Sequence, residues 1–259
     1  MASKIHPTAV IHPSAEIGDD VEIGPYCVIH EGGVKIGAGS WLQNHVTMAG
    51  PLVVGRNNRF FAYASIGQQT QDLKFRGGPT HCEIGDNNTF REFVTVNSST
   101  SDEDRTIIGS DNHILTYSHV AHDCKVGNHC IFSNNSTLGG HVVVEHWVVL
   151  GGMTGIHQFC RIGKHAMTGG CTKIVQDVPP FMIADGNPCE VRSVNVIGMQ
   201  RRGFSEDAVR AIKYAHRFLY RKNLNIQQAL TEIRELDDVE GVLDAMKVFV
   251  DQSDRGIIR

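Results

Sequence analysis

A hydrophobic residue recurs at every sixth position along most of this chain, and this period constrains the fold more than any other feature. The repeat runs from Ile5 to Ile29, shifts by one residue after the stretch EGGVK, and resumes from Ile36 to Ile174. We call these recurring residues the hexad anchors. Between residues 36 and 174, four expected anchor positions are not hydrophobic: Asp72, Gly78, Asp102 and Thr168. A period of six is typical of a hexapeptide β-helix, in which three hexads form one coil.

Two further positions of the hexad support this prediction. The residue four after an anchor is usually small, as at Ala64 and Ser136, and glycine often follows the anchor directly, as at Gly85 and Gly109. We expect glycine or asparagine to supply the unusual dihedral angles at the corners of each coil. Burial of one anchor contributes about 1.5–3 kcal/mol, but only if coils stack, because a single coil leaves its hydrophobic face exposed.

The hexad pattern ends near DVPPFMIADGNP, where Pro179 and Pro180 cannot continue the interior of a paired strand. A helical period follows from Ser205: SEDAVRAIKYAHRFLY has a capping serine, acidic residues in its first turn and hydrophobic residues on one face. These helices would cover the open end or an edge of the solenoid, where unpaired strands favour aggregation.

The predicted fold class is therefore mainly β: a parallel β-helix of hexapeptide repeats followed by an α-helical C-terminal region. We place the β-helix at residues 1–190, with projecting loops near residues 67–83 and 97–107. The helical region would occupy residues 191–259.

Composition narrows the expected compartment and partners. The formal net charge of −4 predicts no nucleic-acid partner. No hydrophobic run reaches about 18 residues, and the N-terminal MASKIHPTAV lacks the hydrophobic core of a signal peptide. The seven cysteines include no C-x-x-C pair, as expected for a reducing compartment. We therefore expect a cytoplasmic protein with no stable membrane insertion.

The stretch TYSHVAHDCKVGNHC at residues 116–130 is dense in side chains that could act chemically. Cys124 and Cys130 occupy the small inward position, so we expect them to be buried and to behave as small hydrophobic residues. His119, His122 and Asp123 fall outside both inward positions. We expect these three to be accessible to solvent or to a neighbouring subunit.

A coil of eighteen residues brings distant positions together. Gly140 lies one coil after His122, His141 lies one residue further, and His157 lies one residue short of two coils. Since neighbouring strands are about 4.8 Å apart, these residues should form one patch. A histidine can remove a proton from a hydroxyl group, and a glycine N–H can bind a developing oxyanion, which suits acyl transfer. Two alternatives stay open: a zinc site, and polar residues on a solenoid without catalytic function.

Five longer motifs give a family resemblance. These motifs are QDLKF at 71–75, HVAHDC at 119–124, GGMTGIHQF at 151–159, QDVPPFMIADGNP at 176–188 and NVIGMQRRGFS at 195–205. With the hexads, they resemble the UDP-N-acetylglucosamine acyltransferase family over nearly the whole chain. The resemblance implies a homotrimer of left-handed parallel β-helices with active sites in clefts between subunits.

The resemblance also implies a reaction. A 3-hydroxyacyl chain would pass from the phosphopantetheine thioester of acyl carrier protein to the 3-hydroxyl of UDP-N-acetylglucosamine, the first step of lipid A biosynthesis. It implies no cofactor and no metal. Arg161, Lys164, Lys173 and Arg192 are candidates for docking the acidic carrier protein.

By matching motifs, the resemblance implies that His122 is the general base, that Asp123 orients it, and that the Gly140 N–H binds the oxyanion. The pairing of His122 with Asp123 needs a bend, because consecutive strand residues point to opposite faces. The substrate-binding residues implied by the family are Gln71, Asp72, Lys74, His119, His141, His157, Gln158, Asn195, Arg201 and Arg202.

Met167 and Gly170 match the stretch that sets acyl-chain length in this family. Glycine at position 170 leaves room, so we predict a longer acyl chain. Three other classes remain open: another hexapeptide acyltransferase, including one that uses coenzyme A; a zinc lyase on a β-helix; and a non-catalytic binding solenoid. The related N-acyltransferases carry an additional N-terminal domain, for which hexads that begin at Ile5 leave no room.

Overall fold

Three sheets form the sides of a β-solenoid in the computed structural model, which describes residues 2–259. Each coil contributes one short strand to each sheet, because the hexad period places three strands in every coil. The strands in chain order are β1 (Lys4–Ile5), β2 (Val10–Ile11), β3 (Glu16–Ile17), β4 (Glu22–Ile23), β5 (Val28–Ile29), β6 (Val34–Ile36), β7 (Trp41–Leu42), β8 (Thr47–Met48), β9 (Leu52–Val54), β10 (Arg59–Phe60), β11 (Ser65–Gln68), β12 (Cys82–Ile84), β13 (Thr89–Phe90), β14 (Thr95–Asn97), β15 (Thr106–Ile108), β16 (His113–Ile114), β17 (His119–Val120), β18 (Lys125–Val126), β19 (Ile131–Phe132), β20 (Thr137–Leu138), β21 (Val143–Val144), β22 (Val149–Leu150), β23 (Gly155–Ile156), β24 (Arg161–Ile162), β25 (Met167–Thr168), β26 (Lys173–Ile174), β27 (Met182–Asp185) and β28 (Glu190–Val194).

The register confirms the predicted coil of three hexads. The sheets run β1-β4-β7-β10-β13-β16-β19-β22-β25-β27-β28, β2-β5-β8-β11-β14-β17-β20-β23-β26 and β3-β6-β9-β12-β15-β18-β21-β24. Pairing is parallel and joins residues eighteen apart in regular coils, such as His119 with Thr137 and Lys125 with Val143. Two loops lengthen single coils, one between β11 and β12 and one between β14 and β15.

The anchors form a continuous core inside the solenoid. Phe60, Phe90 and Phe132 are fully buried, and the first two rings stack with centroids 4.9 Å apart. Thr168, which breaks the hydrophobic period, is also fully buried, and its hydroxyl accepts a hydrogen bond from the Gly151 N–H at 2.9 Å. The hexad therefore continues through Thr168, because a hydrogen bond offsets the cost of burying its hydroxyl.

The predicted corner chemistry is right for asparagine and wrong for most of the glycines that follow the anchors; Gly67, with a φ of 71°, is an exception. The left-handed backbone falls three residues after an anchor and is adopted by Asn57 (φ 56°) and Tyr63 (φ 64°), among others. The glycines after the anchors answer a different need. A Cβ built on Gly24 would lie 1.4 Å from the carbonyl oxygen of Gln43 on the next coil. No side chain fits so close to a neighbouring backbone, so glycine is required there for proximity.

The solenoid continues past the two prolines, contrary to the predicted end of the repeat. Val178 forms a parallel bridge with Ile162, and β27 pairs in parallel with β25, aligning Ile183 with Met167. These partners are sixteen residues apart, so the coil is two residues shorter than the others. The shorter coil breaks the period of six while the sheet itself goes on. Strand β28 then pairs antiparallel with β27 and ends this sheet.

Four helices follow the last strand: α1 (Val196–Arg201), α2 (Glu206–Tyr220), α3 (Ile226–Arg234) and α4 (Val242–Asp251). The serine cap is confirmed, since the Ser205 hydroxyl accepts a hydrogen bond from the Ala208 N–H at 3.2 Å. Val209 and Ile212 are buried on the predicted hydrophobic face of α2.

The segment around α4 packs against the last coils, as predicted. The Arg161 guanidinium lies 4.5 Å from the centre of the Phe249 ring and donates a hydrogen bond to the Gln252 carbonyl at 3.1 Å. The Ser253 hydroxyl donates to the buried Asp177 carboxylate at 2.7 Å. Arg161 and Asp177 of the last coils thus contact the end of α4 and the residues that follow it, so this segment covers that end of the solenoid. None of the helices within residues 2–259 is long and hydrophobic enough to cross a membrane.

Candidate active site

His122 and Asp123 lie at the corner that follows strand β17. Asp123 has a φ of 60°, and this left-handed residue turns the chain so that the two neighbouring side chains meet. The His122 Nδ1 and Asp123 Oδ2 atoms are 2.8 Å apart. The bend that their pairing requires is therefore present.

The expected accessibility of Asp123 is wrong. Its side chain is 3% exposed, and the His122 side chain is 13% exposed. The loop between β14 and β15 covers Asp123. The Thr100 hydroxyl donates to Asp123 Oδ2 at 2.7 Å, and the Thr100 backbone N–H donates to Oδ1 at 3.1 Å. Since a buried carboxylate needs hydrogen bonds in place of water, the loop makes this burial possible.

The next coil brings Gly140 and His141 against His122, as the spacing of eighteen predicted. The His141 N–H donates to the His122 carbonyl at 3.1 Å, and the two imidazole rings meet edge to face with centroids 5.3 Å apart. The His141 Nε2 atom lies 3.5 Å from Asp123 Oδ2. A Cβ built on Gly140 would lie 2.3 Å from His122 Cε1. The absence of a side chain at position 140 therefore leaves space for the imidazole.

The third coil carries His157 and Gln158, which follow strand β23 next to Gly139. Both are exposed, and the His157 Nδ1 atom lies 3.1 Å from the carbonyl oxygen of Gln158. The adjoining Phe159 stacks on His141 with centroids 4.6 Å apart. Phe159 was not among the predicted site residues, although the spacing of eighteen from His141 identifies it.

His119 precedes the corner on β17 and is held by the neighbouring coil. Its Nδ1 atom lies 2.7 Å from the Thr95 hydroxyl oxygen. Burial lowers the pKa of His119, and the charge of His122 acts in the same direction. Both effects favour the neutral form of His119, which can serve as a hydrogen-bonding group.

The loop between β11 and β12 returns to the same face. Asp72 Oδ1 accepts a hydrogen bond from the Lys74 N–H at 2.8 Å. This bond lowers the pKa of Asp72, and the charges of His122 and His141 add to the effect, which places the loop within electrostatic reach of the corner. A cleft of about 470 Å³ lies between the two loops, with Asp72 and Lys74 on one side. Gln71 and Lys74 are exposed.

The C-terminal motif residues do not all face solvent. Asn195 is 4% exposed; its side chain accepts a hydrogen bond from the Gly198 N–H and donates to the His165 carbonyl at 2.9 Å. In this structure the Asn195 side chain caps α1 inside the protein, and its role in nucleotide binding stays a prediction. The asparagine that opens the motif NVIGMQRRGFS is equally consistent with a helix cap.

The two arginines of the motif differ in environment. Arg201 is exposed. The Arg202 guanidinium lies 5.0 Å from the centre of the Trp147 ring and donates to the carbonyl oxygens of Gly198 and Trp147 at 3.1 and 3.3 Å. Burial lowers the pKa of Arg202. Arg202 therefore joins α1 to the solenoid, and Arg201 is the one of the pair that is open to a ligand.

Met167 lies on strand β25 and Gly170 at the corner that follows it, between two and three coils beyond His122 and at a different corner of the solenoid. Met167 is 37% exposed. A Cβ built on Gly170 would meet only the Gly152 carbonyl oxygen, at 3.4 Å. The surface around position 170 thus has room for a larger side chain, as the prediction about chain length requires.

The remaining predictions for the dense stretch concern metal binding and cysteine. Cys124 and Cys130 are fully buried and free, which confirms their place in the core. Burial raises the pKa of Cys124 to about 12 and that of Cys130 to about 11. His122, Asp123 and His141 each offer one atom within 4.8 Å of the others, a spacing that a metal ion could bridge. The short contact between His122 and Asp123 is equally that of a catalytic pair.

The sequence of this chain matches two family models and several named proteins. The family model described as "Udp N-acetylglucosamine O-acyltransferase; Domain 2" matches residues 177–258, and that of the bacterial transferase hexapeptide matches residues 2–32 and 105–140. A protein of Herminiimonas arsenicoxydans named acyl-[acyl-carrier-protein]–UDP-N-acetylglucosamine O-acyltransferase is 47% identical over 99% of this chain and 100% of its own. One of Burkholderia lata with the same name is 47% identical over 80% of each chain.

Solved structures agree in fold along almost the whole chain. The UDP-N-acetylglucosamine acyltransferase of Francisella novicida superimposes with a TM-score of 0.95 at 38% identity, covering 98% of this chain and 94% of its own. The UDP-N-acetylglucosamine O-acyltransferase of Moraxella catarrhalis gives a TM-score of 0.93 at 39% identity, covering 98% and 99%.

Proposed function

Since this chain belongs to the UDP-N-acetylglucosamine O-acyltransferase family, we propose that it transfers a 3-hydroxyacyl chain to the 3-hydroxyl of UDP-N-acetylglucosamine, with His122 as general base. The activity itself is acyl-[acyl-carrier-protein]–UDP-N-acetylglucosamine O-acyl transfer, the first step of lipid A biosynthesis. The acyl group arrives as a thioester on the phosphopantetheine arm of acyl carrier protein.

The observation that supports His122 as the base is its hydrogen bond to Asp123. With the Nδ1 proton donated to Asp123 Oδ2 at 2.8 Å, the Nε2 atom carries a lone pair that can accept the proton of a sugar hydroxyl. The buried carboxylate fixes the orientation of the ring and stabilises the imidazolium that forms. An unpaired surface histidine would have neither advantage.

The chemical step then follows the usual course of acyl transfer. The sugar oxygen attacks the thioester carbonyl carbon while its proton passes to His122 Nε2. The carbonyl oxygen becomes an oxyanion, and the Gly140 N–H beside the imidazole is the donor we assign to it. When the C–S bond breaks, the imidazolium returns the proton to the leaving thiolate, and both the acyl ester and the free thiol are neutral.

Other residues of the site serve binding in this proposal. His119, His141, His157 and Gln158 line the sugar and acyl positions, because they flank the corner on three adjacent coils. Gln71, Asp72 and Lys74 contact the sugar from the first loop, and Arg201 binds the nucleotide phosphates through its free guanidinium. The Met167 side chain and the Gly170 backbone bound the far end of the acyl groove.

We also propose that the active unit is a homotrimer with sites between neighbouring chains. Stacked aromatic rings run along one corner of the solenoid, and four of them are markedly exposed: Tyr26, Tyr63, Phe93 and Tyr117, at 57%, 47%, 41% and 56%. The His45 ring lies between Tyr26 and Tyr63 and completes the column. An exposed aromatic column of this length is typical of an interface. Light scattering should return three times the mass of one chain; a stable monomer that turns over substrate would contradict this.

The general base is tested by His122→Ala. We expect kcat to fall by about 10²–10⁴-fold, because general acid–base catalysis contributes that much, while the oligomer and its melting temperature are kept. His113→Ala, an exposed histidine on strand β16, is the matched control and should turn over normally. Products formed from UDP-N-acetylglucosamine and acyl carrier protein thioesters would be identified by mass spectrometry.

Two further arms of this experiment address the rival hypotheses. An acyl-coenzyme A donor should give far slower transfer than the carrier protein. Protein stripped by a chelator should keep full activity, since the proposal places no metal between His122 and Asp123. Normal turnover by a folded His122→Ala enzyme would mean that another group removes the proton.

A further inference from the structure

We propose that Thr100 is a positioning residue for the acyl transfer: it holds Asp123, which in turn orients His122. This inference rests on the function proposed for the His122 and Asp123 pair. Thr100 lies in the loop NSSTSDEDR between β14 and β15, whose acidic residues and interruption of the hexad are its evident sequence features.

Thr100 supplies most of the hydrogen bonds to the Asp123 carboxylate. Asp123 Oδ2 accepts from the Thr100 hydroxyl at 2.7 Å and from His122 Nδ1 at 2.8 Å, and Oδ1 accepts from the Thr100 N–H at 3.1 Å. Two of these three bonds therefore come from one residue. Because the carboxylate is shielded from water, the hydroxyl bond fixes the oxygen that also faces the imidazole.

The loop that carries Thr100 is itself firmly held. The Ser98 hydroxyl donates to the Gln68 carbonyl at 3.1 Å, and the Ser99 hydroxyl accepts from the His81 N–H at 2.8 Å. Gln68 and His81 flank the first loop, so the two loops brace each other at their bases. Thr100 follows this braced segment directly and is therefore placed by it.

Thr106, at the end of the same loop, also forms a hydrogen bond with Asp123. The Asp123 backbone N–H donates to the Thr106 hydroxyl at 2.8 Å, and both residues are buried. The loop thus bonds the backbone of Asp123 at one end and its carboxylate at the other. This arrangement would be superfluous for a surface aspartate, but it suits one that must keep an imidazole within a narrow range of angles.

The consequence for catalysis can be stated from these bonds. Without the Thr100 hydroxyl, Oδ2 keeps its bond to His122 and its contact with His141, and Oδ1 keeps the Thr100 N–H, so the carboxylate is held less tightly. His122 then spends less time with Nε2 directed at the sugar hydroxyl. We expect a loss mainly in kcat, with a smaller change in KM, because the Thr100 hydroxyl is bonded to Asp123 although the residue also lines the cleft beside Asp72 and Lys74.

The test uses Thr100→Val, which removes the hydroxyl and keeps the shape, and Thr100→Ser, which keeps the hydroxyl. We expect the valine enzyme to lose on the order of 10-fold in kcat, the size expected for a hydrogen bond to a charged group. The serine enzyme should recover most of that loss. Thr116→Val is the matched control. The Thr116 hydroxyl also donates to a carboxylate, that of Glu92, with a hydrogen bond of 3.2 Å, but this pair is not at the corner of His122. The kcat of this variant should not change.

A double-mutant cycle with Asp123→Asn separates positioning from general damage. If Thr100 acts through Asp123, adding Thr100→Val to Asp123→Asn should lower kcat no further. Additive losses, a wild-type kcat for Thr100→Val, or no recovery with serine would each overturn the inference. The proposed general base is judged separately by His122→Ala, so a failure of Thr100 leaves that assignment intact, and a normal His122→Ala enzyme refutes both.

Discussion

The contact between Gly140 and the His122 ring leads to a sharp prediction for Gly140→Ala. A Cβ at this position would lie 2.3, 2.6 and 3.0 Å from Cε1, Nε2 and Nδ1 of His122, whereas ordinary contacts of a Cβ atom begin near 3.4 Å. The ring must therefore move by about 1 Å. A displacement of this size can cost on the order of 10²-fold in rate, because the hydrogen bond to Asp123 and the direction of Nε2 change together.

The backbone gives no competing explanation for such a loss. Gly140 is not among the residues with positive φ, so alanine can adopt its conformation and the N–H that we assign to the oxyanion is retained. We expect kcat of the Gly140→Ala enzyme to fall about 10²-fold in a continuous assay of thiol release, with its fold and oligomeric state unchanged. Gly155→Ala, where a Cβ meets nothing within 4 Å, is the matched control and should be active.

A second variant identifies the cause of the loss. In a His122→Ala background the imidazole is absent, so the added methyl group has nothing to displace. The double variant should therefore be no slower than His122→Ala alone. Full activity of Gly140→Ala, or a further large loss in the double variant, would refute the contact as the reason why position 140 is glycine.

Two further predictions concern the acyl groove and the response to acid. Gly170→Met should shift products toward shorter acyl chains in a mass-spectrometric competition between thioesters, because a long side chain would fill the space beside Gly152; an unchanged product spectrum would remove position 170 from the groove. Burial lowers the pKa of His165 from 6.5 to about 4, so the unfolded chain binds more protons between these values and stability is lost as pH falls through that window. His165→Phe, which can keep the stacking on Trp147 and Phe181, should make the melting temperature less dependent on pH between 4 and 6.5; an equally steep dependence would mean that other groups cause it.

The fold was largely predictable because the hexad is a local property with a global consequence. Anchors such as Phe90 and Ile114 lie 24 positions apart but still pair, and both are fully buried. Stacking coils buries these anchors together, so the period predicts the three sheets and the register of the regular coils, while the two inserted loops set the longer spacings of the coils that contain them. The same period placed Gly140 and His141 against His122 without any knowledge of the loops.

The corners show where this reasoning fails. Glycine or asparagine was expected to take the left-handed conformation, and some corners have them, yet Tyr63, Phe93 and Tyr117 adopt it as well. A bulky residue in the left-handed conformation is unfavourable by about 1–2 kcal/mol. A prediction made residue by residue therefore rejects tyrosine and phenylalanine at these corners. The rings of these three residues stack in sequence with centroids 5.0 and 4.9 Å apart, and aromatic pairs contribute about 0.5–1.5 kcal/mol beyond their burial. Stacking between coils offsets strain within each coil, and a sequence read one residue at a time contains no sign of it.

The burial of Asp123 marks a second limit, and this one bears on function. The hexad correctly placed its side chain outside the core, but an outward side chain is exposed only if nothing folds over it. Asp102 interrupts the period in the loop that covers Asp123, so the sequence does signal an insertion there. It does not signal that Thr100 donates a hydrogen bond to the carboxylate of Asp123, 23 positions further along the chain. Breaks in the repeat therefore give a solenoid of this kind what a regular coil lacks: uninterrupted hexads form the flat sides, and an inserted loop covers the Asp123 carboxylate and supplies its hydrogen bonds.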